Sequence, residues 1–265
     1  MMGYRCASVC VAFILTLLSS FTATAKSIKV FAGAAGTPPI REVARLYERK
    51  YGVTVECAFG GSGTMLSQML LAKQGDVYIP GSDDFMDLAE RKGVVAKGKR
   101  KIVAYLVPVI AVRKGNPKGI RTLQDLTCPG IRVGIARPKA VCLGDIAVEI
   151  FRKAGLYDRI MRNVVTHAGS CSQTAAILKL NQVDVVIGWD VFAKWYPKDI
   201  EVISLPQHLT RWRYIPAAVT KFARDPKEAQ RFVDFITSSI GKAIFKKHGY
   251  TIKPPKPLQR KSKMK

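Results

Sequence analysis

The sequence predicts an α/β protein of two lobes, each a mostly parallel sheet flanked by helices. Three observations carry that prediction. Strand-like and helix-like runs alternate along the 265 residues, the pattern that builds parallel sheets. Two short loops of small residues, Gly33-Ala34-Ala35-Gly36-Thr37-Pro38-Pro39 and Gly60-Gly61-Ser62-Gly63-Thr64, each end a strand and open a helix. Two segments, Lys101 to Arg113 and Tyr214 to Thr220, read as a crossing into a second lobe and a return from it.

Ser27 to Ala32 reads as the first strand. Thr37 is placed to cap the next helix, and Pro38 suits its first turn. Ile40, Val43, Ala44 and Tyr47 form that helix's apolar face, while Arg41, Glu42, Arg45 and Glu48 face water. Val53 to Phe59 is the second strand, followed by a helix with Met65, Leu66, Met69 and Leu70 inward. Asp76 to Ile79 is a short third strand, and Phe85, Leu88 and Ala89 mark a helix closed by Gly93. In the second lobe, Ile131 to Ala136, Asn163 to Thr166 and Val183 to Trp189 read as strands. Helices are expected around Ile146 to Ala154 and over Gln173 to Leu180. Two last helices, near Lys227 to Thr237 and Ile240 to His248, precede a Lys/Pro-rich tail. The expected boundaries are a leader over 1–25, a first lobe over 26–106 and 221–252, a second lobe over 107–220, and a basic tail over 253–265 that reads as disordered.

The leader has the form of a secretory signal. Arg5 opens it, Val9 to Leu18 is too short an apolar run to span a bilayer, and Ala23-Thr24-Ala25 fits a cleavage site. The formal charge is +24, of which Arg5 leaves with the leader. Such a charge suits nucleic acid, but export and the scatter of basic residues over helix faces argue against it. A basic surface instead steers anions. Of six cysteines, Cys57, Cys128, Cys142 and Cys171 remain after the leader. An oxidising compartment favours pairing, and four cysteines allow three full pairings.

Both glycine-rich loops are candidate anion sites, because the first amides of a helix are unpaired and the dipole there is positive. The residues concerned are Ala35, Gly36 and Thr37 in the first loop and Gly61, Ser62 and Gly63 in the second. Ser62 is expected both to cap its helix and to donate to a ligand. No lysine follows the glycines, so this is no P-loop. The Gly33 loop lacks the full dinucleotide motif, and Pro38-Pro39 would sit in its pyrophosphate turn. His167 and Cys171 stand four apart, but no acid is placed to orient the histidine, so a thiol nucleophile is not favoured and the chain does not read as an enzyme. Cys57, Cys142 and Cys171 have no zinc-site spacing, so no metal cofactor is indicated. Trp189 ends a buried strand, where its indole N–H can donate to an anion.

The chain resembles periplasmic molybdate/tungstate-binding proteins of ABC importers from about Ile28 to Tyr250. The resemblance rests on Val30-Phe31-Ala32-Gly33-Ala34-Ala35, Tyr47-Glu48-Arg49-Lys50-Tyr51-Gly52-Val53, Phe59-Gly60-Gly61-Ser62-Gly63, Gly75-Asp76-Val77-Tyr78-Ile79, Val183-Asp184-Val185-Val186-Ile187 and Ala243-Ile244-Phe245-Lys246-Lys247-His248-Gly249-Tyr250. It implies a two-lobed solute-binding fold that holds a tetrahedral dianion with uncharged donors and hands it to a membrane permease. Carried over, the donors are Ala35 (through its amide alone), Ser62, Leu143 and its neighbour Gly144, Cys171, and Trp189 where the family has tyrosine. Cys142 and Cys171 then face each other across two site loops and are expected to form a disulfide. The alternatives are a ligand sensor of the same fold, or a binder of another oxyanion or a metalloid through Cys142 and Cys171.

Overall fold

The computed structural model describes residues 26–255. The expected leader and all but the first three residues of the tail lie outside them. The first lobe begins with β1 (Ser27–Gly33), α1 (Thr37–Tyr51), β2 (Thr54–Gly60), α2 (Ser62–Ala72), β3 (Val77–Ile79), α3 (Asp83–Arg91) and β4 (Lys101–Leu106). The second contains β5 (Pro108–Arg113), β6 (Val133–Ala136), α4 (Cys142–Lys153), α5 (Tyr157–Met161), β7 (Val164–Ala168), α6 (Cys171–Lys179), β8 (Val185–Trp189), α7 (Phe192–Trp195) and β9 (Ile200–Ser204). The chain then returns through β10 (Arg213–Val219) to α8 (Pro226–Thr237) and α9 (Ser239–Lys247).

Each lobe is built on one five-stranded sheet, in the orders β2-β1-β3-β10-β4 and β7-β6-β8-β5-β9. Both are mixed. β1 runs parallel to β2 and β3, and β6 parallel to β7 and β8. β10 runs antiparallel to β3 and β4, and β5 antiparallel to β8 and β9. The antiparallel strands are those that carry the chain between lobes. A strand entering straight from the neighbouring lobe has no crossover helix to turn it parallel. The expected run Lys101 to Arg113 is therefore two strands, broken at Val107, where the chain leaves one sheet for the other. β10 hydrogen-bonds within the first sheet, so the chain is already back in that lobe before the expected boundary at 220/221.

The helices form where the apolar spacing puts them. Pro39, Ile40, Val43, Ala44 and Tyr47 are the buried face of α1, and Gly52 ends the helix in the left-handed region at φ 64°. One continuous cluster of buried apolar side chains runs through both lobes. The lobes also bond to each other directly. The amide of Gly63 donates to the Ala140 carbonyl (2.9 Å), and the Ser172 hydroxyl donates to the Ala34 carbonyl (3.2 Å). Buried Arg213 on β10 holds Asp84 of the first lobe (3.0 Å) and Glu149 of the second (2.6 Å). The clamshell is closed.

Candidate functional site

Five helix starts meet where the two lobes face. The turn Ala34–Gly36 leading into α1 follows β1, α2 follows β2, and α3 follows β3. From the other lobe, α4 follows β6 and α6 follows β7. Each start lies at the carboxyl end of a parallel strand, because a right-handed β-to-helix connection leaves the strand at that end. The positive ends of their dipoles are thereby gathered into one buried volume.

Three helices place a small polar side chain at the first helical position: Ser62 on α2, Cys142 on α4 and Cys171 on α6. All three are buried, as are Ala35, Leu143 and Trp189. The structure thus brings together Ala35, Ser62, Leu143, Cys171 and Trp189, drawn from five separate segments. Thr37 and Gly36 stand one step outside. The N-cap of α1 is Gly36, so Thr37 does not cap it, and the Thr37 hydroxyl donates instead to the Ala34 carbonyl (3.1 Å). Gly61, in place of Ser62, is the N-cap of α2. The Ser62 oxygen is one position too far along to reach back to the helix amides, and it accepts from the Gly81 amide at 3.0 Å.

Two expected backbone donors are already used. Gly63 N–H is held by Ala140, as described, and Gly144 N–H donates to the Val141 carbonyl (2.9 Å). Both glycines serve close approach instead. A methyl on Gly63 would come 2.5 Å from the Lys139 carbonyl oxygen, and one on Gly144 would come 2.4 Å from that of Ala136.

Two of the other donors point at sulfur. The Trp189 indole N–H donates to Cys171 Sγ (3.4 Å), and the Leu143 amide also faces that sulfur. The Cys142 thiol lies beside Cys171 and beside the hydroxyls of Ser62 and Ser82. Cys142 and Cys171 are nevertheless free thiols, as are Cys57 and Cys128. The expected disulfide is therefore absent: the two thiols are buried neighbours with no bond between their sulfurs. Their titrations are linked. The Cys171 thiol beside it, with the two serines, holds Cys142 below the ordinary thiol range, while the neighbouring Cys142 and burial push Cys171 well above it.

Sequence reasoning missed Tyr78, Gly81, Ser82 and Tyr250. Tyr78 OH donates to the Ser62 carbonyl (2.8 Å), which fixes the start of α2. Tyr250 OH donates to the Ala35 carbonyl, which fixes the Gly33 loop. Burial raises the pKa of both phenols and keeps them donors. Pro80-Gly81-Ser82 carried a readable signal, because it is a third small-residue loop between a strand and a helix. Tyr250 entered only as the last residue of the matched C-terminal segment, with no sign of what its hydroxyl would hold. His167 is exposed on β7, so the nucleophile reading that paired it with buried Cys171 fails. Among the described residues, no group of three His, Cys, Asp or Glu could hold a metal ion.

Asp190, directly after Trp189, sits at the first crossing. Its carboxylate accepts from the amides of Val107 and Val191 (both 3.1 Å), and its own amide donates to the Val107 carbonyl (3.0 Å). Burial pushes its pKa up to about 6. Just outside the buried site, a cavity of about 800 Å³ opens between the lobes, lined by Thr37, Ser172, Lys194, Lys246, Lys247 and His248. Here the basic surface reaches the mouth of the cleft.

A family model described as bacterial extracellular solute-binding protein matches residues 28–251. The chain belongs to that family. Among solute-binding relatives, the molybdate-binding protein ModA of Mycobacterium tuberculosis H37Rv is 26% identical over 230 residues, covering 86% of each chain. Two solved structures share the fold. The periplasmic molybdate-binding protein of Azotobacter vinelandii has a TM-score of 0.72 at 17% identity, covering 85% of this chain and 99% of that one. The sulfate-binding protein SubI of Mycobacterium tuberculosis H37Rv has a TM-score of 0.75 at 20% identity, covering 88% of each. The two-lobed solute-binding fold expected from the sequence is the one observed.

Proposed function

We propose that this solute-binding protein is exported, closes on a small tetrahedral oxyanion of the molybdate or tungstate type, and delivers it to an ABC-importer permease. One observation carries the reading: five helix starts from both lobes converge on a buried cluster of hydroxyl, amide and indole donors. Dipoles and amides hold an anion through several directional bonds and need no opposing charge. The lysines at the cleft mouth draw anions inward without entering the site. A relative named for molybdate supports the ligand class.

Closure follows from the same elements. An anion seated at the α4 and α6 starts is reached by Ser62 only when the lobes meet. Its binding therefore favours the closed state by its differential affinity for that state. Opening then releases it at the permease.

Calorimetric titration with molybdate, tungstate, sulfate and phosphate tests the reading. Saturable binding of at least one tetrahedral oxyanion is expected, weakened by about 1–3 kcal/mol in Ser62→Ala, where a buried partner is lost. No binding across the panel, or unchanged affinity in Ser62→Ala, overturns it.

A further inference from the structure

Part of this cleft's donor set surrounds two sulfur atoms. Cys142 and Cys171 occupy the first positions of α4 and α6, with both thiols buried side by side. Trp189 Nε1 and the Leu143 amide address Cys171, while the hydroxyls of Ser62 and Ser82 flank Cys142. A glycine makes room for this arrangement. A methyl on Gly81 would lie 3.0 Å from Cys142 Sγ, 3.1 Å from the Ala35 methyl and 3.6 Å from Ser62 Oγ. A helix start lowers the cost of a thiolate. Two adjacent thiols in a dry, donor-lined volume are a bidentate soft ligand.

We propose that the Cys142–Cys171 pair binds a trivalent metalloid hydroxide of the arsenite type, E(OH)3, as a second ligand class of this cleft. The inference rests on the solute-capture reading for the cleft and for its opening. Each thiol replaces one hydroxide on the metalloid: two S–H and two E–O bonds break, two E–S bonds form, and two waters leave. No electrons are transferred, so no oxidant or reductant is required. The product is S–E(OH)–S, and its remaining hydroxyl faces Ser62 and Ser82. Neighbouring thiols on two helix starts suit the bent S–E–S angle of a pyramidal centre. A linear two-coordinate metal would have to push them apart.

The test uses the reduced, desalted full chain and sodium arsenite. Native mass spectrometry should show one adduct, with the mass of As(OH)3 less two waters. Arsenic X-ray absorption on the wild-type complex should show two sulfurs and one oxygen around arsenic. Cys142→Ser and Cys171→Ser should each weaken binding by about 100-fold or more, the gain that a tethered second bond confers. Cys57→Ser and Cys128→Ser should leave it unchanged. An all-oxygen arsenic shell, no adduct, or an adduct lost with Cys57 or Cys128 overturns the proposal. The wild-type absorption spectrum decides even where a cysteine variant fails to fold. Titrating molybdate in the same samples separates the two readings. Oxyanion binding without an arsenite adduct sinks this inference alone, and an adduct without oxyanion binding sinks the oxyanion reading alone.

Discussion

Gly61→Ala isolates lobe closure from folding. Gly61 has an extended backbone, φ −63° and ψ 139°, which alanine adopts without strain. A methyl there would lie 2.4 Å from the Ala140 carbonyl oxygen, 3.1 Å from the carbonyl carbon and 2.9 Å from Val141 Cγ2. These three nearest atoms belong to the opposite lobe, so the first lobe can accept the methyl while the closed interface cannot. The closest contact is about 1 Å inside ordinary van der Waals distance, and the atom it meets is backbone. Relieving it moves the 139–141 loop away and breaks the bonds from Gly63 and Thr64 to Ala140. Overpacking of this kind costs about 1–3 kcal/mol. Charged to the closed state alone, that lowers ligand affinity by about 5- to 150-fold. Calorimetry measures the affinity, small-angle scattering of the ligand-saturated variant should report a larger radius of gyration than liganded wild type, and the melting temperature should fall less without ligand than with it. A variant with wild-type affinity and radius would refute the claim that this loop contact governs closure.

Two further changes probe the frame. Burial pushes the Asp190 pKa up to about 6 from the ordinary aspartate value of 3.8, so between those values the native state binds a proton that the unfolded chain does not. Stability is therefore lost as pH rises through 6, and by pH 7 the ionised form costs up to about 3 kcal/mol. Asp190→Asn keeps the acceptor for Val107 and Val191; its melting temperature should exceed wild type at pH 7.5, with the gap closing towards pH 4, and a pH-independent gap would contradict this. Arg213→Met leaves Asp84 and Glu149 without their shared partner across the lobes. Denaturant unfolding should show a loss of about 1.5–3 kcal/mol, near the lower figure because both carboxylates are partly exposed; an unchanged midpoint would show that the bridge contributes nothing.

Much of the fold was legible because its signals are local. The apolar spacing of α1, the Gly52 stop and the alternation of strands with helices are properties of neighbouring residues. β9 and the break between β4 and β5 were not legible. The apolar run from Ile102 to Val112 does not say which sheet its halves join, and that choice depends on partners β10 and β8 far along the chain. In the site, Ser62, Leu143, Cys171 and Trp189 were legible through motif and resemblance, and Ser82 through a loop pattern that repeats the other two. Tyr250 was not, because its hydroxyl reaches Ala35 only after the C-terminal segment packs back on the first lobe.

The sequence by itself determined that small residues open helices at the ends of strands, so that helix starts lined by free amides and small side chains exist at all. Only the tertiary structure decided which of those ends stay available. Ala140 takes the Gly63 amide, Gly81 takes the Ser62 oxygen, and Trp189 turns its indole onto the Cys171 sulfur. A hydrogen-bond donor serves the nearest acceptor that folding brings to it. In this cleft the acceptors come from the opposite lobe and from distant loops, so no local stretch of sequence encodes them.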